Sequence, residues 1–205
     1  MRSLFIFPFN GNGLEALDCL KEQFELAGFI DDTPEKLGKN KYGQMVYPRA
    51  ELSLQKECLV LAVPGSPTSY LIRKKIIDDL NIEPERFATV IHPNASVSPL
   101  AKIGKNVLIM SGVVITSNAV IEDHVCILPN TVIHHDVIIK KYTLIGSGVS
   151  IAGSTEVGEN CYIGSGTKII NNIKIGDRTL IGLGSNVLKS IAEDSKVVGN
   201  PARLI

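Results

Sequence analysis

Isoleucine or valine stands at every sixth position from Ile91 to Val187, seventeen times without a break. These two residues fill 42 of the 205 positions, so a run of that length is no accident of composition. A second stripe, four residues behind the first, is small or β-branched, running through Val107, Val113, Ala119, Val125, Thr131, Val137 and Thr143 to Thr179. Neither the helical period of 3.6 nor the strand period of 2 produces such a pattern. The residue directly after the aliphatic one is repeatedly glycine (Gly104, Gly146, Gly158, Gly164, Gly176 and Gly182), and is read as the place where the chain turns a corner. Short β-branched strands joined by tight corners stack into a parallel β-solenoid with three hexads per triangular coil. Seventeen hexads make nearly six coils, a prism roughly 27 Å long at about 4.8 Å per strand spacing.

The first ninety or so residues follow another grammar. An apolar strand, residues 3–9, leads into Asn10-Gly11-Asn12-Gly13 and an expected helix from Leu14 to about Leu26. A second strand ends in Gly28-Phe29-Ile30-Asp31-Asp32. A third strand, 58–63, the turn Pro64-Gly65-Ser66-Pro67 and a helix over about 68–80 complete a βαβ-type unit. The expected division is a Rossmann-like α/β domain over 1–86 and an all-β solenoid domain with a C-terminal tail over 87–205.

Charge narrows the function. Lys and Arg number 21, as do Asp and Glu, so no broad positive field is available for nucleic acid or an anionic membrane surface. An anionic ligand has to be gripped locally. Cys19, Cys58, Cys126 and Cys161 form no compact ligand pattern, which suits a reducing cytoplasm better than a disulfide framework or a zinc knuckle. The apolar start is too short for a signal peptide or membrane span.

Three places carry chemistry. Asn12 and Gly13, in a glycine-rich turn between strand and helix, form either a phosphate cradle or a plain tight turn. Asp31 and Asp32, at a strand end where dinucleotide folds hold a ribose, are either ligands or a solvated turn. His134-His135-Asp136 follows the inward-facing Ile133, so at least one imidazole is expected outside the prism. An exposed histidine beside a carboxylate suits proton removal from an amine or hydroxyl at neutral pH. A plain pair of surface histidines and a zinc site gathered from His124, His134 and His135 across a subunit interface are the alternatives; His124 and His135 fall at different hexad positions, which counts against the metal. His92 is expected to be structural, and Cys126 and Cys161 to be inert.

Over nearly its whole length the chain resembles the hexapeptide-repeat sugar O-acyltransferase family, of the sialic acid O-acetyltransferase and UDP-4-amino-sugar N-acetyltransferase type. The likeness rests on the glycine-rich first turn, Gly28-Phe29-Ile30-Asp31-Asp32, residues 88–93 (ATVIHP), Ile133-His134-His135-Asp136, Ile151-Ala152-Gly153, residues 162–166 (YIGSG) and the closing 198–203 (VGNPAR). It implies a left-handed parallel β-helix, a cytoplasmic homotrimer with active sites between neighbouring prisms, and acetyl-CoA as co-substrate with no metal. It implies His135 as base, Asp136 as its orienting partner and His134 beside the acceptor. The nucleotide-linked sugar would lie on Asn12, Gly13, Asp31, Asp32 and Gly65. CoA would lie on Leu144, Gly153, Gly164, Ser165, Leu183 and Gly184, with backbone N–H groups near Gly153 facing the oxyanion. The implied reaction is acetylation of the amine of a UDP-linked amino sugar in bacterial glycan biosynthesis. O-acetylation of sialic acid or a related sugar, and a non-catalytic sugar-nucleotide-binding solenoid, are the other readings. Leu14 and Leu144 stand where members of the family commonly carry histidine.

Overall fold

The computed structural model of the chain describes residues 1–21 and 23–205. All seventeen hexads become two-residue strands, from Val90–Ile91 to Asn186–Val187. They stack as three parallel sheets, each strand pairing with the one eighteen residues on. The first face carries Val90–Ile91, Leu108–Ile109, Cys126–Ile127, Leu144–Ile145, Tyr162–Ile163 and Leu180–Ile181. The second carries Ser96–Val97 to Asn186–Val187, and the third Lys102–Ile103 to Lys174–Ile175. The prism is a left-handed parallel β-helix.

Both sequence stripes fill its core. Ile109, Ile115, Ile121, Ile127, Ile133 and their successors are buried beside Val107, Val113, Ala119, Val125 and Val137. The threonines of the second stripe are buried as well, and each hydroxyl donates to a carbonyl of the next coil, Thr131 to Gly146 and Thr143 to Gly158 at 2.8 Å, both fifteen residues ahead, and Thr179 to Ala192, thirteen ahead. A polar group is thereby tolerated in an apolar column because its one donor is used.

The corners are built differently from the expectation. Left-handed backbone falls three residues after the aliphatic position, from Asn106 (φ 53°) through Asn118 (61°), Asn130 (60°) and Asp136 (58°) to Asn172 (60°). Asn and Asp are the non-glycine residues most at home there. The glycines directly after the aliphatic position have another cause. A Cβ at Gly146 would stand 2.5 Å from the Ser165 nitrogen, and one at Gly164 2.5 Å from the Leu183 nitrogen, so these glycines admit the next coil rather than bend the chain.

The last coil is two residues short, Leu180–Ile181 pairing with Lys196–Val197. The 198–203 segment then folds back as an antiparallel hairpin, Lys196–Gly199 with Ala202–Leu204, which extends the first face.

The front unit is a five-stranded sheet of order β3-β4-β2-β1-β5, with β1 Arg2–Phe7, β2 Phe24–Ile30, β3 Gly38–Lys39, β4 Met45–Tyr47 and β5 Leu59–Ala62; all pairs are parallel except β3 with β4. The expected helix from Leu14 is instead two short ones, α1 Gly11–Glu15 and α2 Leu17–Leu20, and Phe24 already begins β2. The later helix is a 3-10 turn, Tyr70–Ile72, followed by Arg73–Asp78. Among the described residues no helix is long and apolar enough to cross a membrane.

This unit docks on the first face, where Leu108, Met110, Cys126 and Leu144 share a core with Leu4, Ile6, Leu61 and Val63. It also grips one corner, between the third and first faces, along a left-handed column eighteen residues apart. Asn106 pairs with both backbone groups of Ala62 (2.7 and 2.9 Å), Tyr142 donates to Asp78 (2.9 Å), Asn160 donates to the Leu71 carbonyl (2.9 Å), and the Arg178 carbonyl accepts from Tyr70 (3.3 Å). Arg73, wholly buried, donates to the carbonyls of Pro64, Tyr142 (3.1 Å) and His124 (2.7 Å).

His124 sits in this seam, stacked on Tyr142 with ring centres 4.6 Å apart and edge-on to Phe87. Burial pushes its pKa down to about 4, so the folded imidazole is neutral. The unfolded chain takes up that proton near pH 6.5, so the contribution of His124 is complete above about 6.5 and is lost as pH falls toward 4. Allowing for screening at its exposed edge, the loss is about 2 kcal/mol. His124→Asn, which suits the same left-handed backbone, should flatten the fall in the urea midpoint between pH 6.5 and 4. A pH dependence identical to the native protein's would contradict this.

Candidate active site

His135 and Asp136 lie at the corner between the second and third faces, the edge of the prism opposite the first face and its docked front unit. Their ring and carboxylate are 2.7 Å apart, Nδ1 to Oδ2, and the His135 side chain is 62% exposed. The hydrogen bond from His135, seconded by one from Asn118, holds the Asp136 carboxyl below the usual carboxylate range. An ionised carboxylate only accepts, so Nδ1 carries a proton, and in the neutral tautomer with this bond Nε2 keeps its lone pair. A Cβ at Gly153 would come within 2.5 Å of His135 Cε1 and 2.6 Å of Nε2, so the glycine is what lets the ring lie against the next coil. His134 is exposed beside it.

The second expected cluster is a cleft of about 610 Å³ at the carboxyl ends of β1, β2 and β5. Asp31, Asp32 and Gly65 line it together with Lys36, Arg49 and Ser66. Asp31 is nearly buried and already engaged, accepting from Lys36 (2.7 Å) and the Thr33 amide (3.0 Å). Burial would raise its carboxyl, and those hydrogen bonds override it and hold the group below its ordinary range. Lys36 also donates to the Phe9 carbonyl (3.1 Å), which ties β2 to the glycine-rich turn. Asp32 is half exposed and paired with Arg49. Sequence reasoning missed the cationic pair Lys36 and Arg49; Lys36 lies within a turn of Asp31, but nothing in the sequence brings Arg49 there.

Asn12 and Gly13 lie outside the lining of that cleft. The Gly13 amide is taken by the Asn10 side chain at 2.9 Å, and a Cβ there would stand 2.5 Å from the Pro8 carbonyl oxygen. A free N–H cradle at Gly13 is thus corrected to a capped, closely packed turn.

Of the residues expected on CoA, Ser165, Leu183 and Gly184 are exposed and Gly164 is packed beneath Leu183. They occupy the corner between the first and second faces, across the second face from His135 and Gly153. Leu144 is corrected outright. It is 3% exposed, faces the front unit and presses on Gly65, where a Cβ would stand 2.6 Å from its Cδ1. The structure therefore places the expected residues in three separate groups on one chain.

His124 is in the seam, on a different corner from His134 and His135, and within one chain, among the described residues, no three His, Cys, Asp or Glu side chains are grouped to hold a metal ion. His92 is buried and accepts from the Asn94 amide at 2.9 Å. Burial pushes the thiols of Cys126 and Cys161 up to about 11 and about 12, which makes them poor nucleophiles.

The family described as bacterial transferase hexapeptide (six repeats) matches residues 118–153 and 154–189. No curated protein sequence matches the chain significantly. The acetyltransferase domain of PglB from Neisseria gonorrhoeae FA1090, in complex with acetyl coenzyme A, is 25% identical and superimposes with a TM-score of 0.87 over 100% of this chain and 99% of that one. PerB from Caulobacter crescentus, in complex with CoA and GDP-perosamine, is 23% identical with a TM-score of 0.83, covering 100% and 97%. WeeI from Acinetobacter baumannii AYE is 21% identical, with a TM-score of 0.75 over the full length of both chains. With transferase hexapeptide repeats matched over residues 118–189 and its whole length superimposable on an acetyltransferase domain, the chain is similar to the hexapeptide-repeat acetyltransferases.

Proposed function

We propose that the protein transfers acetyl from acetyl-CoA to the amine of a nucleotide-linked amino sugar, with His135 as general base and Asp136 as its partner. The observation that carries this reading is the His135–Asp136 pair, Nδ1 and Oδ2 2.7 Å apart, with the side chain open to solvent. Nε2 takes the amine proton as the nitrogen bonds to the thioester carbon. The C–S bond breaks, and the imidazolium returns a proton to the departing thiolate.

Residues 1–86 hold the nucleotide in the cleft beside Asp32, Lys36, Arg49 and Gly65, and residues 87–205 carry the transfer. CoA runs along Gly164, Ser165, Leu183 and Gly184 toward His135. Because the cleft and His135 sit on opposite sides of one prism, a complete site takes its base from a neighbouring copy, and three copies close such an arrangement.

The test is thiol release from acetyl-CoA over a panel of acceptors: UDP-linked 4-amino sugars first, then GDP-perosamine, the ligand in the PerB structure, and free sialic acids. Release with a nucleotide-linked amino sugar is the expected result. Release with sialic acid alone would move the reading to O-acetylation, and release with no acceptor would overturn it.

A further inference from the structure

We propose that Asn118 is a positioning residue for acyl transfer, its side-chain amide locking the Asp136 carboxylate that orients His135. The proposal rests on His135 being the base. Asn118 precedes Asp136 by eighteen residues, one coil, in the same left-handed column of the corner. Its Nδ2 donates to Asp136 Oδ1 at 3.1 Å, while His135 Nδ1 donates to Oδ2 at 2.7 Å. Each carboxylate oxygen has its own donor, so the group cannot rotate about its Cβ–Cγ bond without losing one.

The ring itself has little else to hold it. Gly153 bounds one side, and most of the imidazole faces solvent. A half-exposed carboxylate free to rotate would release Nδ1 and let the proton move to Nε2, which removes the lone pair that transfer needs. Asn118 is the second anchor that prevents this, supplied from the preceding coil.

The side chain can be separated from the backbone because φ at Asn118 is 61°, a conformation that Gly, Asp and Asn all adopt. Asn118→Gly and Asn118→Asp both keep the turn and remove the donor. Were Asn118 present only for its backbone, both variants would be neutral.

The test is ¹⁵N NMR of the His135 ring in the full chain, with steady-state kinetics beside it. In the native protein the neutral ring is expected as a single tautomer protonated on Nδ1. In both variants the two nitrogen shifts should move toward each other, kcat should fall about tenfold, and KM for both substrates should stay within twofold. In Asn118→Asp the added carboxylate favours the protonated ring, so the acid limb of kcat/KM moves to higher pH. Unchanged ring shifts with kcat within twofold in both variants would overturn the proposal. The NMR reading needs no acceptor: altered tautomers in a protein that turns over no sugar would uphold the positioning role and overturn the acyl-transfer reading instead.

Discussion

Replacing His135 with alanine should lower kcat/KM for acetyl transfer by about a thousandfold and leave the unfolding midpoint unchanged. The ring is exposed at a corner, lies against Gly153 and is not part of the buried aliphatic column. Catalysis and stability are therefore separable at this residue. Asp136→Asn should lose less, because the amide still occupies the left-handed position, but it can present an N–H to Nδ1 and favour the wrong tautomer. A fall in rate accompanied by an equal fall in stability would show that the corner is structural.

Arg73→Met should cost about 4 kcal/mol of folding stability and lower the urea midpoint by about 1.5 M. Among the described residues the guanidinium has no carboxylate partner; it is held by three carbonyl oxygens, from Pro64 in the front unit and from His124 and Tyr142 in the solenoid. Burial lowers its pKa to about 10, which still leaves it charged at neutral pH. Methionine of similar length strands those carbonyls away from water. Lysine should recover little, since a single ammonium cannot reach three acceptors in a planar fork. The Pro64 carbonyl adjoins Gly65, so KM for the nucleotide sugar should rise in the surviving fraction. An unfolding midpoint within 0.3 M of native, roughly what a surface substitution gives, would mean that the seam is not held by Arg73.

The solenoid was legible because one constraint, a strand every six residues, repeats seventeen times and turns the same two positions toward the core. Its corners were equally written in the sequence but misread. Asn106, Asn118, Asn130, Asp136, Asn160 and Asn172 mark the left-handed positions, while the more conspicuous glycines mark close approach between coils. Leu144 carries a second lesson. The residues just before the aliphatic stripe on the first face, Val90, Leu108, Cys126, Leu144, Tyr162 and Leu180, are all apolar, whereas the third face has Lys102, Glu156 and Lys174 at the same place. An eighteen-residue period of outward apolar residues announces a covered face, and Leu144 belongs to it rather than to a ligand.

The front unit was less legible because local pattern did not decide it. Phe24–Ile30 mixes Glu25, Ala27 and Gly28 with apolar residues, a poor strand signal, and becomes one by pairing with β1. At the candidate site, the His135–Asp136 pair could be found from chain adjacency. Asn118, one coil of eighteen residues before Asp136, could be found from the repeat; Arg49 could not, since it arrives from a distant point in the chain.

The sharing of one site between two copies is tested most directly by mixing two inactive chains. One carries His135→Ala; the other carries Ser66→Trp, which fills the cleft proposed for the nucleotide. Co-expressed in equal amounts, they should recover about a quarter of native thiol release, the share of sites that pair an intact corner with an intact cleft. Activity no greater than that of the two variants assayed separately would place base and cleft on the same chain and contradict the shared site.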